Sequence, residues 1–77
     1  MSTLREIRRG KLISIEGLAE VANVSTKTIV EIEHGRSVPR LRTIKKLSEA
    51  LEVKPADVEE FAAAIADDGE LAKKLAA

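Results

Sequence analysis

Two short stretches of this chain concentrate the side chains able to do chemistry. One is "STKT" at 25–28, continued by Glu31. The other is a run of cations, Arg36, Arg40, Arg42 and Lys45. Hydroxyls, an ammonium, a carboxylate and guanidiniums can exchange hydrogen bonds and balance charge. What bond-making requires is missing: there is no Ser/His/Asp spacing and no phosphate-binding loop, and the other carboxylates are spread over polar helix faces. A chain of 77 residues also buries only about 60–65% of its unfolded surface, leaving little room for a pocket. These features argue for recognition and against an enzyme.

Composition narrows the partners. With no Cys and a single His, neither a disulfide frame nor a structural zinc is expected, and no cofactor is implied. The formal net charge is zero, yet it is unevenly placed. Residues 1–48 hold ten Lys/Arg against five Asp/Glu, whereas residues 49–77 hold three against eight. A basic front half and an acidic tail make a polarised molecule, able to present cations to an anionic partner. "MSTLREIRRGK" has no apolar run of signal-peptide length, and no segment could span a bilayer. The expectation is a soluble, cytoplasmic protein.

The elements that must position these residues read as helices. Leu4, Ile7 and Leu12 fall roughly on one face of a first helix over 3–11. Ser14 can cap a second, with Glu16 in its first turn and Leu18, Ala19 and Ala22 as its buried stripe. Asn23 tolerates the left-handed conformation and can turn the chain. After Gly35, "RSVPR" is a loop. Leu41, Ile44, Leu47 and Leu51 then restore the helical period. Pro55 is expected in the first turn of a further helix that buries Val58, Phe61 and Ile65. A break follows at 67–69, and 70–77 could form one last weak helix. The fold class is all-α, with a domain over 1–66 and a C-terminal extension over 67–77.

The stretch "NVSTKTIVEIEHG" is ambiguous by itself. Val24, Thr26, Thr28, Val30 and Ile32 alternate as in a strand. The surrounding segments are helical, however, and a lone strand would leave its N–H and C=O groups unpaired. Residues 25–33 are therefore expected to be a helix capped by Ser25. Ile29 and Ile32 then share one face with Val24 nearby, while Ser25, Thr26, Thr28 and Glu31 fall away from it. Lys27 and Glu31, four apart, could pair.

Leu18-Ala19, Asn23, Val24, Ile29 and Ile32 together resemble the helix-turn-helix of the Cro and phage-repressor type. "IEHGRSVPRLRTIKKLSEALEV" is similar to that family's Glu-x-Gly-x-x-x-Pro loop and following helix. The resemblance covers about residues 4–61 and implies a compact five-helix, lambda-repressor-like domain. Ala19 would be small because two helices cross closely there, and Asn23 would stand where many relatives have Gly.

The resemblance also implies roles. The helix at 25–33 would lie in the major groove of double-stranded DNA with its N-terminal residues facing base edges. Thr26 and Lys27 would be the main base readers, with Thr28 and Glu31 as further contacts. Lys27 could donate to a guanine, a Thr methyl could meet a thymine methyl, and Glu31 could accept from a cytosine or simply pair with Lys27. Ser25 suits a phosphate at a helix N-terminus. Arg36, Arg40, Arg42 and Lys45 are DNA-backbone candidates; Arg40 could instead reach a minor groove, Arg42 and Lys45 could be solvated, and Lys46 is expected to point elsewhere. Arg8 and Glu33 would form a partly buried bidentate clamp. His34, beside Gly35, fits a carbonyl cap better than a metal ligand, with a backbone contact to DNA as the other option.

Three departures from the family pattern stand out: Ile15 where many relatives carry Gln, Val30 at a commonly polar position, and Arg40 in place of a small N-cap. The function implied is a sequence-specific transcriptional regulator, a repressor acting as a homodimer on a two-fold site with half-sites about 34 Å apart. Phe61 and Ile65 are the dimer-contact candidates, with the monomer core as the alternative for Phe61. Val58 is assigned to that core. The competing function is an antitoxin or protein-binding adaptor using the acidic segment Asp57 to Glu70.

Overall fold

Thr3 starts the first helix. Its side chain accepts the Glu6 N–H, and the Glu6 carboxylate reaches back to the Thr3 N–H at 2.9 Å, a capping box. In the computed structural model, which describes residues 2–67, the helices are α1 (Leu4–Gly10), α2 (Ile15–Ala22), α3 (Thr26–Glu33), α4 (Leu41–Leu51) and α5 (Glu59–Asp67). The domain is all-α, as expected. The helix proposed over 70–77 and the later part of the acidic segment lie outside the described residues, so of the extension at 67–77 only Asp67 is seen, ending α5.

Four of the helices stop in the same way. Each is followed by one residue in the left-handed region: Leu12 (φ 58°), Asn23 (φ 56°), Gly35 (φ 71°) and Glu52 (φ 56°). The next N–H then turns back onto the helix, from Ile13 to Arg8, Val24 to Ala19, Arg36 to Glu31 and Val53 to Ser48, at 2.9–3.2 Å. This bonding occupies carbonyls that a helix end leaves unpaired. Gly and Asn adopt that conformation at little cost; Leu and Glu do not.

The core lies where these helices converge. Leu4, Leu18, Ile29, Ile32, Leu47 and Leu51 are each at most 1% exposed. Burying a side chain of this size contributes about 1.5–3 kcal/mol. Helix α2 packs against both α3 and α4, with the small Ala19 and Ala22 on its buried side. Leu12 corrects the reading of the first helix. It lies beyond α1 and is 93% exposed, because the left-handed turn swings it away from the face that Leu4 and Ile7 share.

The start of α5 also differs from expectation. Pro55–Asp57 forms a separate 3-10 turn, and Val58 is extended before α5 begins. Val58 makes an isolated parallel bridge with Ser2: Ser2 N–H donates to the Asp57 carbonyl at 3.3 Å, and Glu59 N–H to the Ser2 carbonyl at 2.8 Å. Glu60 then accepts the Leu4 N–H at 2.8 Å. The beginnings of α1 and α5 are thus tied by hydrogen bonds that neither stretch signals alone. Phe61 is 0% exposed within this single chain, which corrects its assignment as a dimer contact: its ring completes the domain's own core. Ile65 is half-buried and lines an open apolar groove of about 580 Å³ between α4 and α5.

Candidate nucleic-acid interface

Helix α3 owes its start to Ser25, whose Oγ accepts the Thr28 N–H at 3.1 Å. The same oxygen lies 2.7 Å from Thr28 Oγ1, so the two hydroxyls are themselves hydrogen-bonded. The inward face is set by Ile29 and Ile32. Its far end is held by Glu33, which accepts from Arg8 Nε at 2.7 Å and Nη2 at 3.2 Å. Arg8 Nη1 donates in addition to the Ile13 carbonyl at 2.9 Å. One buried guanidinium therefore joins α1, the loop into α2 and the end of α3. The Glu33 carboxylate raises the Arg8 pKa above its ordinary value, keeping the cation firmly charged although burial opposes it.

The outward face of α3 is a separate surface. Thr26 and Lys27 are exposed; Thr28, Val30 and Glu31 are half-buried. Helical spacing makes two rows, Thr26 with Val30 and Lys27 with Glu31. Among the described residues the one side-chain ion pair is Arg8–Glu33. The ammonium of Lys27 and the carboxylate of Glu31 accordingly stand apart, and each is open to a partner. The Lys27–Glu31 ion pair is thus not formed in the free chain.

The DNA-backbone candidates follow α3 in the loop and the first turns of α4. Arg36, Arg40, Arg42 and Lys45 are all exposed, and none makes a side-chain hydrogen bond or ion pair to another described residue. Arg40 occupies the N-cap of α4 without supplying a side-chain cap. The first-turn N–H groups of α4 therefore keep their partial positive charge beside these cations. Buried Pro39 anchors the loop between them. His34 caps α3 through its backbone, its N–H donating to the Val30 carbonyl at 3.0 Å, and the imidazole is exposed.

Two positioning contacts were not legible from residue types. Lys46, expected to point elsewhere, donates from Nζ to the Asn23 carbonyl at 3.4 Å, supplying a cation at the C-terminus of α2, whose last turn has none of its own. The Ser25–Thr28 hydroxyl pair was also missed, although Ser-x-x-Thr at a helix start is a spacing that permits it. Ile15, at the position often held by Gln, packs against the core instead. Among the described residues no group of His, Asp and Glu is placed to hold a metal ion, and no helix is long and apolar enough to cross a membrane.

Comparison with known proteins agrees with this geometry. A helix-turn-helix family model matches residues 4–58. Two curated relatives from Bacillus subtilis (strain 168) are each 43% identical over 51 residues: the helix-turn-helix transcriptional regulator RghRB, uncharacterized, and the helix-turn-helix transcriptional repressor RghR. The match covers 65% of this chain but 37% and 38% of those proteins, so the matched part is little more than a third of their length. No solved structure matches at comparable significance. The turn at Asn23, the packing of α2 against α3 and the family match over 4–58 together place this chain in the Cro and phage-repressor type helix-turn-helix family of transcriptional regulators.

Proposed function

We propose that the chain is a sequence-specific DNA-binding regulator that represses by occupying operator DNA. The observation that carries this reading is the outward face of α3: unpaired Lys27 and Glu31 beside Thr26, on a helix whose other side is fixed by Ile29, Ile32 and the Arg8–Glu33 clamp. A rigid row of donors and acceptors is what base-edge recognition in the major groove needs. In this reading Thr26, Lys27, Thr28 and Glu31 face bases. Ser25, Arg36, Arg40, Arg42 and Lys45 meet the phosphate backbone and set the register. Arg8 and Glu33 do not touch DNA; they hold the reading helix. The name of the relative RghR supports repression as the outcome.

One domain of this size offers a small interface, so the chain acts as a homodimer on a two-fold site. Ile65, half-buried beside the apolar groove, is the dimer contact in this reading. Selection from a pool of random duplexes tests the proposal. Enrichment of a two-fold sequence with half-sites about one helical turn apart is the expected result. Recovery of no preferred sequence would overturn it.

A further inference from the structure

Thr28 carries two different groups on one Cβ, and the structure engages one of them. Its hydroxyl lies 2.7 Å from Ser25 Oγ, while its own N–H donates to that same oxygen at 3.1 Å. Side chain and backbone of Thr28 thus close a small ring on the N-cap of α3. A hydroxyl turned outward to serve a base would have to leave this ring and loosen the helix start. The same χ1 that holds the hydroxyl also fixes the direction of the methyl, which takes no part in the ring's hydrogen bonds. Thr26 is the opposite case: it is exposed, and its hydroxyl has no partner among the described residues.

We infer that Thr28 reads DNA with its methyl, packing it against the C5-methyl of a thymine, while its hydroxyl belongs to the cap. This rests on the proposed placement of α3 in the major groove. Two threonines two residues apart then have contrasting chemistry. Thr26 is the hydrogen-bonding reader, and Thr28 an apolar one that distinguishes thymine from cytosine through the methyl that only thymine presents there. Helical spacing sets Thr28 on the flank of the Lys27–Glu31 row, where a small apolar group can meet the wall of the groove without displacing either charge.

The test uses the duplex recovered by random-pool selection with the full chain, and a set in which each thymidine in turn is replaced by deoxyuridine. The replacement removes a methyl and nothing else. One position per half-site is expected to weaken binding about fourfold, the worth of one buried methyl. Thr28→Val, which keeps the methyl, is expected to show the same loss at the same position. Thr28→Ser, which keeps the hydroxyl ring, removes the methyl from both half-sites of the dimer, and is expected to bind the thymidine duplex about sixteenfold more weakly, about fourfold per half-site, and to lose the distinction. The inference is overturned if deoxyuridine is tolerated everywhere by the unaltered chain, or if Thr28→Ser still discriminates. These two arms stand even where Thr28→Val fails to fold. A chain that selects no duplex at all overturns the DNA-binding reading itself, a different and recognisable failure.

Discussion

Arg8 and Glu33, 25 residues apart in sequence, are joined by two hydrogen bonds of 2.7 and 3.2 Å between buried side chains. The guanidinium has a third bond, to the Ile13 carbonyl. Removing one partner leaves the other charge uncompensated in the interior. Arg8→Ala or Glu33→Ala is therefore expected to destabilise the fold by about 3–5 kcal/mol, measured by urea denaturation. Arg8→Lys keeps the charge but cannot reproduce the forked geometry, and is expected to recover only a minor part of that loss. Full recovery by Lys would show that charge alone, not bidentate geometry, holds α3.

The four left-handed helix endings give a second prediction. Leu12 and Glu52 have φ near +57° without being Gly or Asn. A side chain in that region costs about 1–2 kcal/mol, and Gly returns part of this through the freedom it adds to the unfolded chain. Leu12→Gly and Glu52→Gly are each expected to raise stability by up to about 1 kcal/mol, and Asn23→Gly to change little. Leu12→Ala serves as the control: the side chain is 93% exposed, so losing it should cost almost nothing. Thermal melts of the four variants check the series.

Ser48 predicts a gain of another kind. It is 4% exposed on α4, and its hydroxyl has no hydrogen-bond partner among the described residues. An unsatisfied buried hydroxyl costs about 1–3 kcal/mol, and Ala is the better helix former. Ser48→Ala is expected to stabilise the chain in denaturant; a loss of stability would reveal a partner for the hydroxyl.

The capping box at α1 carries a pH dependence. Bonds from the Thr3 backbone and side chain lower the Glu6 pKa below its ordinary value of 4.5. The contribution to stability is thus present above that value and is lost as pH falls through the depressed pKa of the folded state. Glu6→Gln is expected to flatten the fall in melting temperature below about pH 4.5 while leaving the melting temperature at neutral pH only slightly lower.

Much of this architecture was legible in the sequence because it rests on residue types with narrow uses. Ser14 and Ser25 cap helices, Asn23 turns the chain, and Ile29 and Ile32 have a single face to bury on. Val24, Thr26, Thr28, Val30 and Ile32 alternate like a strand, but neighbouring helices decide the matter. What escaped depends on contacts distant in sequence or on residues used against type. Leu12 looks like the next core position of α1, yet a left-handed turn expels it. Val58 pairs with Ser2, so Pro55 starts an isolated turn instead of α5. Phe61 carries no mark in the sequence that separates a core ring from an interface ring, and only the burial of the folded chain distinguishes them.

The central claim is that α3 reads bases while the cations after it hold the backbone. Titrating the selected duplex and an unrelated one over a range of salt, with Lys27→Ala and Arg36→Ala, tests it most directly. Lys27→Ala is predicted to change preference at one base position. Arg36→Ala is predicted to weaken both duplexes alike and to lower the salt slope by about one. Equal, sequence-independent losses from both substitutions would contradict the division of roles.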